Sequence, residues 1–204
     1  MAPMDSSEIR QALIAAQRKD SAASSDFDLN PHVELTHGRI LRDAAVLVLF
    51  QADAQAGARL VLTKRSSALR HHPGQIACPG GKIEALDGGP EGAALREARE
   101  EIGLPDGAAE LLGALPAHET VTGFTVTPIL AWLPRAVPLR PEPGEVAEIF
   151  SVPWTHAADP ARFRVEERIW RGTMRRYYVA PFGPYYIWGA TARILRGLAG
   201  RLSQ

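Results

Sequence analysis

The sequence predicts one mixed α/β domain, and three observations support that prediction. Apolar, β-branched segments typical of buried strands lie on both sides of a well-delimited helix at 90–102. The length of 204 residues is sufficient for one substantial hydrophobic core. No internal repeat or low-complexity tract interrupts this pattern. We therefore expect the strands and helices to share one core.

The N-terminal residues predict a short helix and a polar linker. Ser6 or Ser7 can cap a helix over 8–19, and the serine-rich stretch 20–26 predicts a mobile connection. We therefore assign residues 1–36 to an N-terminal helix and linker that precede the main domain.

Strand candidates follow along most of the remaining chain. The segments 43–50 and 58–65 flank a polar stretch and predict a hairpin of buried strands. The glycine- and proline-bearing stretch 66–89 predicts a loop with a short strand around 76–79. Four further apolar segments predict strands at 110–115, 126–133, 147–154 and 175–182. An amphipathic pattern predicts a last helix over about 184–202, with arginines on its outer side.

The helix at 90–102 has clear start and stop signals. A proline occupies its first turn, Glu91 suits the positive end of the helix dipole, and Gly103 with Pro105 ends it. Its apolar positions form one stripe that should pack on the sheet: Leu95, Ala98 and Ile102. Its carboxylates are expected on a different, outward face: Glu97, Glu100 and Glu101.

Charge and composition exclude some classes of partner. The 23 Lys and Arg balance the 23 Asp and Glu, so net charge predicts no attraction to nucleic acid or to a membrane surface. One cysteine excludes an internal disulfide and fits a reducing compartment. No apolar run approaches the roughly 20 residues of a membrane span, and the N-terminus lacks the apolar stretch of a signal peptide. We expect a cytoplasmic protein with no nucleic-acid or membrane partner.

The three clustered glutamates need an explanation, because like charges at i,i+4 destabilise a helix by about 0.2–0.5 kcal/mol per pair. Bound cations would turn that repulsion into attraction, and ionised carboxylates are ligands suited to Mg²⁺ or Mn²⁺. The alternative is an ordinary solvated face, on which Arg96 and Glu100 form a surface pair. The helix taken by itself favours this alternative, but the sequence before the helix changes the balance.

The stretch from 80 to 104 resembles the Nudix box of the Nudix hydrolase family. Gly81 matches the first glycine of the box, and Arg96 through Leu104 match its second half, Arg-Glu-apolar-x-Glu-Glu-x-Gly-apolar. The first acid is Asp87, and eight residues separate it from Arg96 where the family has seven. The resemblance implies a Nudix-type α/β/α sandwich around a mixed β-sheet, with the hydrolase domain at 37–204.

The same resemblance implies a metal-dependent reaction. A divalent ion, Mg²⁺ or Mn²⁺, would be held by Glu97, Glu100 and Glu101. The carbonyl of Gly81 would be a further ligand, and Arg96 would orient a glutamate through a charge-assisted hydrogen bond. A metal-activated water would attack a pyrophosphate that links a nucleoside to another group.

A general base is expected either beyond the box or within it. Glu145 is the first candidate, Glu148 is the next, and Glu84 is a third. Such a base must lie within hydrogen-bond reach of the attacking water. Each of the three is equally well explained as a surface acid.

A local positive patch precedes the box in this otherwise neutral chain. It consists of Lys64, Arg65, Arg70, His71 and His72. Such cations suit phosphate oxygens, although exposed loop cations would have the same composition. The stretch resembles the secondary motif of the coenzyme A pyrophosphatase branch of the Nudix enzymes, and the tail at 181–195 is similar to that branch as well. The positions in register are Leu62, Thr63, Arg65, Ser66, Arg70, Gly74, Pro79, Gly80 and Gly81.

This second resemblance implies the substrate and the residues that bind it. Coenzyme A or its thioesters would be hydrolysed to 3′,5′-ADP and the corresponding 4′-phosphopantetheine, and Arg70 would contact the 3′-phosphate. The substrate-binding candidates are Lys64, Arg65, Ser66, Arg70, His71 and Gly80. Two alternatives stay open: a Nudix hydrolase of another nucleoside diphosphate derivative such as ADP-ribose, and a nucleotide-binding module that does not cleave. A homodimer is a further expectation for this family.

Other reactive or aromatic residues have structural explanations that we prefer. Cys78 lacks the pattern of a catalytic cysteine and is expected to be a small buried residue. The histidines show no zinc-binding spacing. Tyr185, Tyr186 and Trp188 could stack on adenine, but aromatic residues at the start of an amphipathic helix are more often part of the core.

Overall fold

The structure, a computed structural model, describes residues 4–33, 38–170 and 172–203. The helices are α1 (Ser6–Arg18), α2 (Pro90–Ile102), α3 (Trp154–Ala157) and α4 (Gly189–Leu202), with a 3₁₀ turn at Pro160–Arg162. The strands are β1 (Ser24–Ser25), β2 (Arg42–Asp53), β3 (Gly57–Arg65), β4 (Ile76–Ala77), β5 (Gly80–Lys82), β6 (Glu110–Ala114), β7 (His118–Glu119), β8 (Phe124–Leu133), β9 (Val146–Pro153), β10 (Arg164–Trp170) and β11 (Thr173–Val179). No helix in these ranges is long and apolar enough to cross a membrane.

Strand β2 is central to a mixed sheet that has nine strands within the described residues. It pairs in parallel with β8, from Arg42 opposite Phe124 to Gln51 opposite Leu133. It also pairs antiparallel with β3 at one end and with β5 at the other. Strand β9 continues the sheet beyond β3. The mixed sheet confirms the predicted α/β class.

Helices cover both faces of this sheet, which gives the predicted α/β/α layering. Side chains alternate along β2, so Leu47 and Leu49 lie in the apolar cluster under α2. Val48 and Phe50 point the other way, into the cluster that includes residues of α1 and α4. All four side chains are fully buried, as expected for a strand that is covered on both faces.

Helix α2 lies on the sheet through small side chains, and this brings part of its acidic face inward. Its fully buried residues are Ala93, Ala94, Ala98 and Ile102, whereas Leu95 is only partly buried. Glu101 follows Ala94 and Ala98 by seven and three positions, so it lies on the same side of the helix. Glu101 is therefore only 4% exposed, and its predicted outward orientation is wrong. The predicted end of the helix is confirmed, since Gly103 adopts a left-handed conformation with φ 64°.

The N-terminal segment is integrated more closely than the sequence predicted. Asp5, not Ser6 or Ser7, caps α1: its carboxylate accepts from the Glu8 backbone N–H, and Glu8 accepts from that of Asp5. Ser6 instead donates to the Gly57 carbonyl at 2.6 Å. The helix buries Ile9 and other apolar residues in the same cluster as the sheet.

The predicted linker is not a free connection, because its serines form a strand. β1 pairs with β7, and Asp26 accepts from the Val121 backbone N–H while lying 3.2 Å from the buried ring of His118. The predicted boundary between residues 36 and 37 lies outside the described residues and stays a prediction.

The C-terminal third contains the largest departures from the predicted elements. β10 was not predicted, and it forms a separate two-stranded hairpin with β11, which begins at Thr173 instead of 175. The last helix begins at Gly189 because Phe182–Tyr185 and Val179–Trp188 bridges fold the preceding residues back. Arg201 is buried, not on the outer side as predicted. It donates to the Ala16 carbonyl at the end of α1. The short strand expected at 76–79 is present as β4 alone, with β5 following it.

Candidate active site

Two glycines allow the acidic helix to lie directly on the sheet. Gly80 and Gly81 form β5, opposite Val46 and Ala45 of β2. A Cβ on Gly80 would lie 2.3 Å from the Ala45 carbonyl oxygen, and a Cβ on Gly81 would lie 2.2 Å from Oε1 of Glu97. Gly80 also has a φ of +156°, which disfavours a side chain. The glycine pair therefore provides a cradle that any larger residue would fill.

Glu101 is the most deeply buried acid of the site. Its carboxylate accepts a hydrogen bond from the Gly80 backbone N–H at 3.0 Å, and Nη1 of Arg65 lies 3.8 Å from its other oxygen. The pKa of Glu101 is raised to about 7, mainly by burial and also by the neighbouring charge of Glu97, while the hydrogen bond from Gly80 opposes the rise. A nearby cation would stabilise the ionised form of this carboxyl.

Glu97 lies beside Glu101 and is partly buried. Its side chain is 15% exposed, and burial raises the pKa of this carboxyl above its usual value. The charges of Glu100 and Glu145 act in the same direction, whereas a hydrogen bond from Arg96 to Oε1 at 3.0 Å opposes them.

Arg96 organises the loop that enters the helix. Its Nε and Nη2 donate to the two carboxylate oxygens of Asp87 at 2.7 and 3.2 Å, and Nη2 also donates to the Lys82 carbonyl. This bidentate pair lowers the pKa of Asp87. The extra residue between Asp87 and Arg96 is accommodated by Gly88 and Gly89, which have φ values of +68° and +130°. Asp87 therefore positions Arg96 in spite of the changed spacing.

The predicted trio of metal ligands is brought together only in part. Glu97 and Glu101 face the glycine cradle, whereas the Glu100 side chain is 57% exposed and accepts from Arg96 at 2.9 Å. Across the described ranges, no three His, Cys, Asp or Glu side chains form a ready-made metal cage. The donor set itself fits a hard divalent ion, because two neighbouring carboxylates with raised pKa values lie at the glycine pair: the partly buried Glu97 beside Gly81 and the buried Glu101 at Gly80.

The three candidate bases differ in their surroundings. Glu145 is exposed, and its charge acts to raise the pKa of both Glu97 and Glu101. Glu148 accepts from the Tyr185 hydroxyl. Glu84 is exposed, and its backbone N–H donates to Asp87.

The predicted substrate-binding residues lie in different parts of the site. Lys64 lines a cleft of about 780 Å³, and Arg65, the next residue, points to Glu101. Arg70 and His71 are exposed and lie outside the lining of this cleft. Ser66 is buried, and its hydroxyl accepts from the Ala68 backbone N–H. Gly80 contributes its N–H to Glu101, as described above.

The cleft also contains residues that sequence reasoning missed or placed in the core. Aromatic side chains form one wall: Tyr185, Tyr186 and Trp188. Arg168 of β10 lines the cleft and a smaller adjoining cavity of about 150 Å³. His72 lines both cavities too, and partial desolvation and the charge of Arg65 lower its pKa. The predicted burial of Cys78 is confirmed, and desolvation raises the pKa of its thiol to about 12.

Comparison with known proteins decides the family. The model of the NUDIX domain matches residues 40–174 of this chain. The chain belongs to the Nudix family. Proteins of Salmonella paratyphi B and Salmonella newport, both named "Uncharacterized Nudix hydrolase NudL", are each 40% identical over 167 residues, which cover 81% of this chain and 86% of theirs.

A solved structure agrees with the fold. The MutT protein from Methanosarcina mazei Go1 has a TM-score of 0.51 at 16% identity, covering 82% of this chain and 96% of its own. The Nudix hydrolase RenU from M. smegmatis has a TM-score of 0.48 at 25% identity, over 66% and 80%. As a Nudix hydrolase, the protein is a pyrophosphohydrolase that acts on a nucleoside diphosphate derivative. Nudix hydrolases generally use divalent ions such as Mg²⁺ or Mn²⁺.

Proposed function

We propose that this Nudix hydrolase is a coenzyme A diphosphatase. It cleaves the pyrophosphate of coenzyme A or its thioesters and releases 3′,5′-ADP and 4′-phosphopantetheine or the acyl form. The observation that carries this proposal is the way the coenzyme A-like motif folds between the acids and the cleft. Arg65 exchanges backbone hydrogen bonds with the other end of its loop, accepting from Gly74 at 3.1 Å and donating to Gln75 at 2.9 Å. In this arrangement Arg65 lies near Glu101, and Lys64 lines the cleft.

The acidic helix is proposed as the metal site and the catalytic centre. Glu97 and Glu101 are the inner ligands, Glu100 is an outer one, and the Gly81 carbonyl completes the set. A divalent ion bound there would neutralise diphosphate charge and lower the pKa of a coordinated water. Arg96 holds Glu97 in place through the hydrogen bond at 3.0 Å.

The reaction needs a proton acceptor, and Glu145 is proposed for that role. Water attacks one phosphorus, the bond from that phosphorus to the bridging oxygen breaks, and Glu145 accepts the proton of the water. Support for Glu145 comes from its electrostatic influence on both inner glutamates. Its backbone carbonyl also accepts from the Ser66 N–H at 2.7 Å, which ties it to the substrate-binding loop.

The positive groups are proposed to bind the substrate phosphates. Arg65 reaches toward the acids and suits the scissile diphosphate, since a guanidinium offers paired donors to phosphate oxygens. Lys64 suits the nucleotide part within the cleft. Ser66 and Gly80 support the loop and the acid, while Arg70 and His71 are available to contact parts of the substrate outside the cleft.

A substrate panel with product identification tests this function. Purified protein with Mg²⁺ or Mn²⁺ is offered coenzyme A, an acyl thioester and ADP-ribose, and the products are identified by mass spectrometry. We expect 3′,5′-ADP and the matching phosphopantetheine. If ADP-ribose is turned over and coenzyme A is not, the proposed substrate is wrong. Tight coenzyme A binding without turnover would favour a non-catalytic nucleotide-binding module. Glu101→Gln protein prepared in the same way controls for contaminating hydrolases.

We further propose a cytoplasmic location and a homodimer. The buried thiol of Cys78 is consistent with a reducing compartment. Size-exclusion chromatography with light scattering tests the dimer, and a monomer at all concentrations would reject it.

A further inference from the structure

The β10–β11 hairpin carries an unusual pair of cations. Arg168 on β10 lies directly opposite Arg175 on β11, and like charges in that position destabilise a sheet. The other arginines that face acids on this hairpin are paired: Arg164 with Glu166, and Arg176 with Glu167. Among the residues that the structure describes, Arg168 forms no such ion pair. Its guanidinium is exposed and lines both cavities.

The surroundings of Arg168 favour an anion. Lys64 lines the same cleft, and the acid of the cleft, Glu148, is engaged by the Tyr185 hydroxyl. Arg175 lies over the Phe27 ring at 5.8 Å, whereas Arg168 lines the cleft. A phosphate bound by Arg168 would reduce the repulsion within the arginine pair, because its negative charge would offset the charge of the Arg168 guanidinium.

The adjacent aromatic wall suits a flat base. Tyr185 is already stacked on Phe150, with ring centroids 3.6 Å apart. Trp188 and Tyr186 make looser contacts with a centroid distance of 6.5 Å, and Tyr186 is 41% exposed. Bases stack on aromatic side chains of this kind without sequence preference. A base on this wall and a phosphate on Arg168 describe a nucleotide with a phosphate on its ribose.

We propose that Arg168 determines specificity by binding a ribose phosphate that is separate from the scissile diphosphate. For coenzyme A this group is the 3′-phosphate, and that identification rests on the proposed function. The assignment differs from the expectation drawn from the sequence, which gave this role to Arg70. Arg70 is exposed outside the cleft, whereas Arg168 lines it together with Trp188.

Metal-free equilibrium binding tests this assignment without any need for turnover. Tryptophan fluorescence or calorimetry gives the Kd of adenosine 3′,5′-bisphosphate and of AMP, which differ by one phosphate. We expect the wild-type protein to prefer the bisphosphate by about tenfold, as one charge-assisted interaction would give. Arg168→Ala should abolish this preference and leave AMP binding unchanged, and Arg168→Lys should retain part of it.

Two matched variants separate Arg168 from other cations. Arg162→Ala removes an exposed, ion-paired arginine outside both cavities and should leave the preference unchanged. Arg70→Ala should also leave it unchanged. A wild-type protein that binds both nucleotides equally, or neither, overturns the proposal, as does a preference that survives in Arg168→Ala. Discrimination in a protein that fails to hydrolyse coenzyme A would reject the proposed function and support the role of Arg168.

Discussion

The glycine–helix segment at 80–102 and the cleft are built in opposite ways. In the segment, the decisive contacts join residues that are near in sequence: Gly80 to Glu101, and Asp87 to Arg96. In the cleft, Lys64, Arg168 and Trp188 come from separate elements of the fold. The proposed metal site is therefore encoded in one short stretch, whereas the proposed recognition site depends on the complete fold.

The two regions also differ in their contact with solvent. Of the inner acids of the segment, Glu101 is buried and Glu97 is partly buried, and this burial raises their pKa values. The cations of the cleft are exposed. Changes in the segment should therefore affect turnover and folding together, and changes in the cleft should affect substrate affinity alone.

The largest effect is expected for Glu101→Gln. Loss of an inner ligand charge should lower kcat by roughly a thousandfold, because metal-assisted charge stabilisation contributes several kcal/mol. Steady-state kinetics with saturating Mg²⁺ measures it. Glu91→Gln, an exposed acid in the first turn of the same helix, is the control and should keep full activity. Equal kcat in both variants would show that Glu101 is not a metal ligand.

The same variant should change stability in a pH-dependent way when metal is removed. The folded pKa of Glu101 is raised to about 7 from the ordinary value of 4.5, so the folded state holds this proton more tightly than the unfolded state. The contribution of Glu101 to stability is therefore greatest below pH 4.5 and falls as pH rises toward 7.

Above pH 7, Glu101→Gln should be more stable than wild type by roughly 3 kcal/mol in EDTA, and near pH 4.5 the two should be equal. Urea unfolding at both pH values measures this difference. A difference that is the same at both would contradict the buried, proton-binding state of Glu101.

A smaller effect on folding is expected for Gly92→Ala. A Cβ at Gly92 would lie 1.9 Å from the Asp87 carbonyl oxygen, so the loop that holds Arg96 must move. We expect a loss of about 1–3 kcal/mol in the free energy of unfolding, and a lower kcat. Gly197→Ala in α4 is the matched control: its nearest atom would be at 3.9 Å, and the change should stabilise by about 0.5–1 kcal/mol. Equal stability of the two variants would show that the loop is not tightly packed on the helix.

The smallest effect is expected for a change in the cleft. Lys64→Ala should raise KM by about threefold, with kcat and the urea midpoint unchanged, because an exposed charge contributes up to about 1 kcal/mol. Kinetics and unfolding on one preparation give all three values. A large drop in kcat would mean that the cleft and the acidic segment are not separable.

The elements that the sequence predicted well are those with strong local signals. The helix Pro90–Ile102 has its bounds as predicted, since proline and glycine mark both ends. The β10 strand escaped prediction because its apolar residues are interrupted by charged ones: Arg164, Glu166, Glu167 and Arg168. The start of α4 was misplaced because long-range bridges, not local signals, hold residues 179–188.

The sequence by itself determined the acidic helix, the glycine pair before it and the Nudix family, because these depend on residue type and short spacing. Only the tertiary structure decided that Glu101 is buried while Glu100 is exposed, and that Arg168 reaches the cleft while Arg70 does not. Desolvation and convergence of distant strands produce these differences. Both depend on which surfaces pack together, and no local pattern of residues specifies that.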